Sequence, residues 1–232
     1  MSQGYFITGT DTGIGKTWST VALMQYFKNQ GKSVLGMKPV ASGAKEIDGS
    51  LVSEDVVYLK KIIDSTDDDD LVSPIRLKPP IAPTIAAVKS GVTIDIDKVW
   101  KAYEVLSNRH DFVVVEGIGG LMVPVDDTLF VADLVCKMDL PLVIVGSDYL
   151  GTINHTLLTV EYAKSRNIRI KGIIINMLKD DDGFVREIEK YSSVPILGTI
   201  PFKENVSVEN CVYGDIVEDL RREINISKIM RK

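Results

Sequence analysis

The chain has 232 residues, 32 of them acidic and 27 basic, for a formal charge of -5, a balance that argues against a general nucleic-acid binder. No apolar run approaches the roughly eighteen residues of a membrane span, no charged leader with an apolar core opens the chain, and Cys136, Cys211, His110 and His155 stand outside any metal-ligand spacing. The expectation is a cytoplasmic enzyme of one domain over residues 1–232, long enough for a full core and with neither nucleic acid nor membrane as a partner.

The first element is a short β-rich run ending at Gly9, followed by a small-residue loop, Gly13-Ile14-Gly15-Lys16-Thr17, and a helical pattern over 16–30 that Gly31 ends. Strand, loop and helix in that order let backbone N–H groups wrap a phosphate chain at a helix N-terminus. Lys16 would reach the β- and γ-phosphates and the Thr17 hydroxyl would ligate Mg²⁺. The spacing departs from G-x-x-x-x-G-K-[ST], because the first glycine is Gly9 and Thr10 takes its usual place.

Ser33–Val40 reads as a buried strand leading into Lys38-Pro39-Val40-Ala41-Ser42-Gly43, and a helix is expected over 52–63 from Ser53-Glu54-Asp55. Asp64–Pro83 reads as a loop, its four aspartates Asp67 to Asp70 forming a solvated run. Helical patterns resume at 83–90 and 95–108. Asp111–Glu116 is a strand closing in a carboxylate before Gly117-Ile118-Gly119-Gly120, and an apolar run Leu121–Val125 follows. Leu140–Gly146 and Ile168–Asn176 are further strands around a helix from Thr152 to Arg166. A helix at 183–191, a strand Ile196–Phe202 and a helical C-terminal stretch complete the chain. Near-continuous apolar strands alternating with helices specify an α/β fold of the P-loop NTPase type: a mostly parallel sheet with helices on both faces. Ligands then bind beyond the strand ends.

Those ends offer Lys16, Thr17, Lys38, Ser42, Glu116 and Asn176, with Asp55 at a helix start nearby. Two carboxylates, a hydroxyl and phosphate oxygens make a hard oxygen shell for Mg²⁺. Asp55 could equally serve its own helix N-terminus. Glu116, closing an apolar strand, has a weaker structural reason to exist.

The segments Thr8–Thr17, Lys38–Gly43, Val115–Gly120 with Pro124, and Gly151-Thr152-Ile153-Asn154-His155, in that order, closely resemble the dethiobiotin synthetases. The resemblance runs from the N-terminus to about Pro201-Phe202 and implies an ATP- and Mg²⁺-dependent cyclo-ligase. Its substrates would be 7,8-diaminononanoate and CO₂ or bicarbonate, joined through a carbamate and a carbamic-phosphoric anhydride with release of ADP and phosphate. By the same resemblance Lys38 and Lys16 are catalytic. ATP would lie on Gly13, Ile14, Gly15, Lys16, Thr17 and Trp18, beside Asp55, Glu116, Gly117, Ile118 and Gly119. Asn176, Met177, Pro201, Phe202 and Lys203 would receive the base, and Thr17, Asp55 and Glu116 the metal. Thr12, Ser42, Gly151, Thr152 and Asn154 would contact the diamine, the last three from the partner of a homodimer with shared active sites.

Two positions depart from the family pattern: Gly13 stands where glutamate is common, and Ala82-Pro83-Thr84 where Ser-Pro-His is common. A cobyrinic acid diamide synthase-like ligase and a partition-type ATPase switch share this loop style. The first usually carries a further glutaminase domain, and the second a lysine where this chain has Asp11. Residues 176–180 do not match the Asn-Lys-x-Asp guanine reader of GTPases.

Overall fold

The computed structural model describes residues 3–179 and 183–203. Six parallel strands form the main sheet: β1 (Gln3–Gly9), β2 (Val34–Met37), β7 (Phe112–Glu116), β8 (Leu142–Ser147), β9 (Ile170–Leu178) and β10 (Ile196–Pro201). Their spatial order is β10-β9-β8-β1-β7-β2. Consecutive side chains of each strand enter opposite cores. On β7, Val113 and Val115 join one cluster while Phe112 and Val114 join the other; on β8, Leu142 and Ile144 separate in the same way from Val143 and Val145. Both faces are therefore dry, which is why the strands read as unbroken apolar runs.

One face is covered by α1 (Lys16–Asn29) and much of α2 (Glu54–Ile63), through Val21, Leu23, Met24, Tyr58 and Leu59. The other is covered by α4 (Pro83–Ser90), α5 (Ile96–Arg109), α6 (Val131–Met138), α7 (Thr152–Ser165) and α8 (Phe184–Ser192). No helix among the described residues is long and apolar enough to cross a membrane.

Two expectations from the sequence differ from the structure. The run Ser33–Val40 is not one strand: β2 stops at Met37, Pro39 cannot continue a ladder, and β3 (Val40–Ser42) pairs in a second sheet with β6 (Ile75–Leu77). The segment Asp64–Pro83 is not simply loop, since it holds α3 (Asp69–Val72) and β6. Nor are its aspartates merely solvated. Asp68 caps α3 through the Asp70 N–H, Asp69 pairs with Lys60, Asp70 pairs with Arg76, and Asp67 meets both His110 and Arg109. Residues 45–52, for which the sequence carried no expectation of strands, form a hairpin, β4 (Lys45–Ile47) and β5 (Ser50–Val52), turning through Asp48 and Gly49 at φ 50° and 78°. Helix α6 is a further element absent from the sequence reading, and the expected C-terminal helix lies outside the described residues.

Candidate functional site

Every strand of the main sheet points its C-terminal end at one edge, so the lateral strand order becomes a lateral order of side chains. Lys38 follows β2, Glu116 ends β7, Lys16 follows the loop after β1, Asn176 lies near the end of β9, and Pro201 ends β10. Lys38, Glu116 and Lys16 occupy one half of this edge. Met177, Phe202 and Lys203 lie towards the other.

The loop after β1 is shaped around Lys16. Its ammonium folds back to donate to the Asp11 carbonyl oxygen at 3.2 Å. A Cβ at Gly9 would stand 3.0 Å from Lys16 Nζ and 2.8 Å from the Asp11 oxygen, so the displaced first glycine makes room for the returning lysine. The loop enters α1 through Gly15 at φ 81°, a left-handed conformation that favours glycine. Asn176 secures the loop from below, its Nδ2 donating to the carbonyls of Ile14 at 2.9 Å and Gly15 at 3.2 Å.

Around the start of α1 the charged side chains form one network. Lys38 Nζ contacts Glu116 Oε1 at 2.6 Å and Asp55 Oδ2 at 3.0 Å. The Thr17 hydroxyl lies 3.0 Å from Glu116 Oε1 and 3.2 Å from Asp55 Oδ1. Lys16, Lys38 and Glu116 are all buried, Glu116 to 1% exposure. Burial pushes the Lys38 ammonium down, but Asp55 and Glu116 outweigh it and the net shift is upward. Lys38 in turn holds the Asp55 carboxyl below its ordinary range. Burial, aided by repulsion from Lys38, lowers Lys16 to about 8.

A cleft of about 380 Å³ opens over this network. Of the sequence-predicted residues it brings together Thr12, Gly13, Gly15, Lys16, Thr17, Trp18, Lys38, Ser42, Asp55, Glu116, Ile118, Gly119 and Met177. Ile14 is instead buried in the core on the α1 face. Gly117 faces inward, where a Cβ would stand 2.8 Å from the Phe6 ring. Asn176 is buried beneath the loop. Pro201, Phe202 and Lys203 lie outside the cleft lining, the Phe202 N–H donating to the Leu178 carbonyl at 2.9 Å. Gly151 and Asn154 are exposed at the start of α7, also outside the lining, while Thr152 is buried. His155 Nδ1 lies 2.8 Å from the Tyr149 hydroxyl.

The donor set fits Mg²⁺. It consists of oxygen donors on Thr17, Asp55 and Glu116, and Glu116 Oε2 is buried with no partner, an atom whose desolvation calls for a ligand. Sequence reasoning missed one contributor, the Asp11 carbonyl that receives Lys16. A main-chain acceptor leaves no mark in residue type.

A parallel sheet with a glycine loop, a lysine and a helix N-terminus at its strand ends defines a P-loop nucleotide-binding protein. The AAA domain family model matches residues 3–210. Among solved structures, the MinC:MinD cell division complex of Aquifex aeolicus aligns at TM-score 0.59 and 16% identity over 95% of each chain. A ParA family ATPase from Chlorobium tepidum aligns at TM-score 0.56 and 19% identity, over 99% of this chain and 93% of that one. Identity so low speaks for the fold alone.

Sequence relatives decide the family. The ATP-dependent dethiobiotin synthetase of Thermodesulfovibrio yellowstonii is 39% identical over 87% of this chain and 90% of its own. That of Anoxybacillus flavithermus is 40% identical over 91% and 97%, and that of Methanocaldococcus jannaschii 39% over 88% and 96%. The chain belongs to the dethiobiotin synthetase family, a family of ATP-dependent ligases.

Proposed function

We propose that this chain closes the ureido ring of dethiobiotin from 7,8-diaminononanoate and CO₂ at the expense of ATP, with Mg²⁺ as cofactor. The observation that carries the reading is the convergence of Lys16, Lys38, Thr17, Asp55 and Glu116 on one cleft at the strand ends. In the proposed sequence, one amine of the diamine adds to CO₂ and gives a carbamate. A carbamate oxygen then attacks the γ-phosphorus and ADP leaves. The second amine attacks the carbonyl of the mixed anhydride, phosphate departs, and the ring closes.

The chemistry asks the protein chiefly to hold anions together. A carbamate and a triphosphate repel, and Lys16 and Lys38 supply two cations where they meet. Thr12 and Ser42 offer hydroxyls in the same cleft for orienting the diamine. Thr17, Asp55 and Glu116 would hold Mg²⁺, which when bound neutralises phosphate oxygens as a hard Lewis acid. Among the described residues no histidine or cysteine lines the cleft, and the route requires no side-chain nucleophile. At the far end, Asn176 spends its Nδ2 on the loop and keeps its carbonyl oxygen to accept from the amine of adenine, with Met177 and the segment 201–203 beside it.

The same reading makes the protein a cytoplasmic homodimer with shared sites. Gly151, Thr152 and Asn154 would receive the diamine's tail carboxylate in the partner's cleft, at the positive N-terminal end of α7. Their position outside this chain's own cleft lining, and the full exposure of Leu150 beside them at 103%, support that arrangement. The reading is tested by ADP release with diaminononanoate and bicarbonate each omitted in turn. Release should need both; ATP turnover independent of the diamine would overturn it.

A further inference from the structure

Lys38 sits where a metal would be expected to sit. Its Nζ touches Glu116 Oε1 at 2.6 Å and Asp55 Oδ2 at 3.0 Å, and the hydroxyl of Thr17 reaches the same two carboxylates at 3.0 and 3.2 Å. Two of the three side chains assigned to the metal thus hold one ammonium, and the third reaches the same two carboxylates. A Mg²⁺ ion bonds carboxylate oxygens at about 2.0–2.1 Å. On the same Glu116 oxygen it would stand less than about 5 Å from Lys38 Nζ, two cations at close range in a buried site. The Thr17 hydroxyl reaches this same oxygen and not the unpartnered Oε2, so an ion held by Thr17, Asp55 and Glu116 together competes with the ammonium for Glu116 Oε1.

We propose that Lys38 is an internal substitute for the metal, and that binding of Mg²⁺ with nucleotide expels its ammonium into the cleft. The inference rests on the proposed metal ligands and adds what the lysine does before they are filled. The exchange is confined to the side chain. The Lys38 N–H donates to the Val72 carbonyl at 2.8 Å, and the next residue, Pro39, accepts from the Ile75 N–H at 3.3 Å, so the backbone is held on both sides of the pivot. Before loading, the ammonium keeps two carboxylates from repelling each other. After loading, the γ-phosphate gives the expelled ammonium an anionic partner. The cation that must meet the carbamate is therefore released only when metal and nucleotide are in place, and metal and nucleotide bind cooperatively.

The test uses Mn²⁺ titrated into nucleotide-free protein, with free Mn²⁺ followed by electron paramagnetic resonance. Wild type should bind weakly, because each ion must displace a lysine. Lys38→Met should bind at least about tenfold tighter, whereas Lys38→Arg, which keeps the internal cation, should stay near wild type. Adding Glu116→Gln to Lys38→Met should abolish the gain. Lys38→Gln, polar but uncharged, gives the same reading should the methionine variant fail to fold. Equal Mn²⁺ affinity in wild type and in the folded uncharged variant overturns the exchange. Neither diamine nor CO₂ is present, so the outcomes separate. Absence of the gain in an enzyme that makes dethiobiotin sinks the exchange alone, and the gain in a protein that makes none sinks the functional reading alone.

Discussion

Gly15 and Asn176 lie so close that a Cβ on the glycine would stand 1.6 Å from the asparagine Nδ2. That nitrogen donates to the carbonyls of Ile14 and Gly15, so the end of β9 is fastened to the phosphate loop 161 residues earlier. Gly15→Ala carries a clash and a left-handed φ of 81° together, and should weaken nucleotide binding by about tenfold or more. Asn176→Ala removes the fastening without the clash and should have a smaller effect. Calorimetric affinities for an unhydrolysable ATP analogue check the order; equal losses would show that the two residues are not coupled in this way.

Burial holds Lys16 at about 8, below its ordinary 10.5, so the folded protein binds this proton less well than the unfolded chain. Stability from this group accordingly rises as pH climbs from about 8 towards 10.5. Nucleotide affinity runs the other way, because a triphosphate favours the charged lysine. Affinity should be flat below pH 8 and fall by up to about tenfold per unit above it. Calorimetry in buffers of different ionisation enthalpy should register proton uptake on binding near pH 8.5 and little at pH 6.5. Identical uptake at both would remove Lys16 as the titrating group.

At the opposite edge of the sheet, Asp67 joins His110 Nε2 at 3.0 Å while His110 Nδ1 meets Ser33 Oγ at 2.9 Å. Burial raises the Asp67 carboxyl, but hydrogen bonds from Ser65, His110 and Arg109 and the His110 charge bring it below its ordinary value. Its contribution is therefore full above the unfolded carboxylate range and lost as pH falls from there through the lower folded value. Asp67→Asn should cost about 1 kcal/mol at pH 7, with a smaller difference at about pH 3. Urea melts at both pH values measure this; a difference undiminished in acid would point to packing in place of charge.

Shared sites predict complementation. On the proposed arrangement Lys16→Ala would disable the phosphate side, and Asn154→Asp would set a negative charge beside the substrate's tail carboxylate. In a mixed dimer one site carries both lesions and the other neither, so exchange should restore about half of wild-type activity per mixed dimer. No recovery after verified subunit exchange would place the whole site within one chain.

Much of the site is legible because it violates local expectation. Lys38 and Glu116 terminate apolar runs, where burying a charge is costly without a purpose, and Lys16 and Thr17 open a helix after a glycine loop. The elements that escaped notice are those whose stability is tertiary. Strands β3 and β6 have three residues each and exist through pairing with one another. The hairpin at Asp48-Gly49 did carry a turn signal, the aspartate-glycine pair, masked by strands of three residues. Residue type also cannot tell a glycine that faces a phosphate from Gly117, which makes room for Phe6. The ion pairs of Asp69 and Asp70 with Lys60 and Arg76 are equally invisible until the chain folds.

On the proposed chemistry the cleft joins a carbon from CO₂ to both nitrogens of a diamine and consumes one ATP. Carbon NMR of the product formed from ¹³C-bicarbonate, 7,8-diaminononanoate, ATP and Mg²⁺ tests this. A single labelled ureido carbon should form in step with ADP and phosphate and be absent when the diamine is omitted. ADP and phosphate formed in full amount, with no label entering a urea, would contradict it.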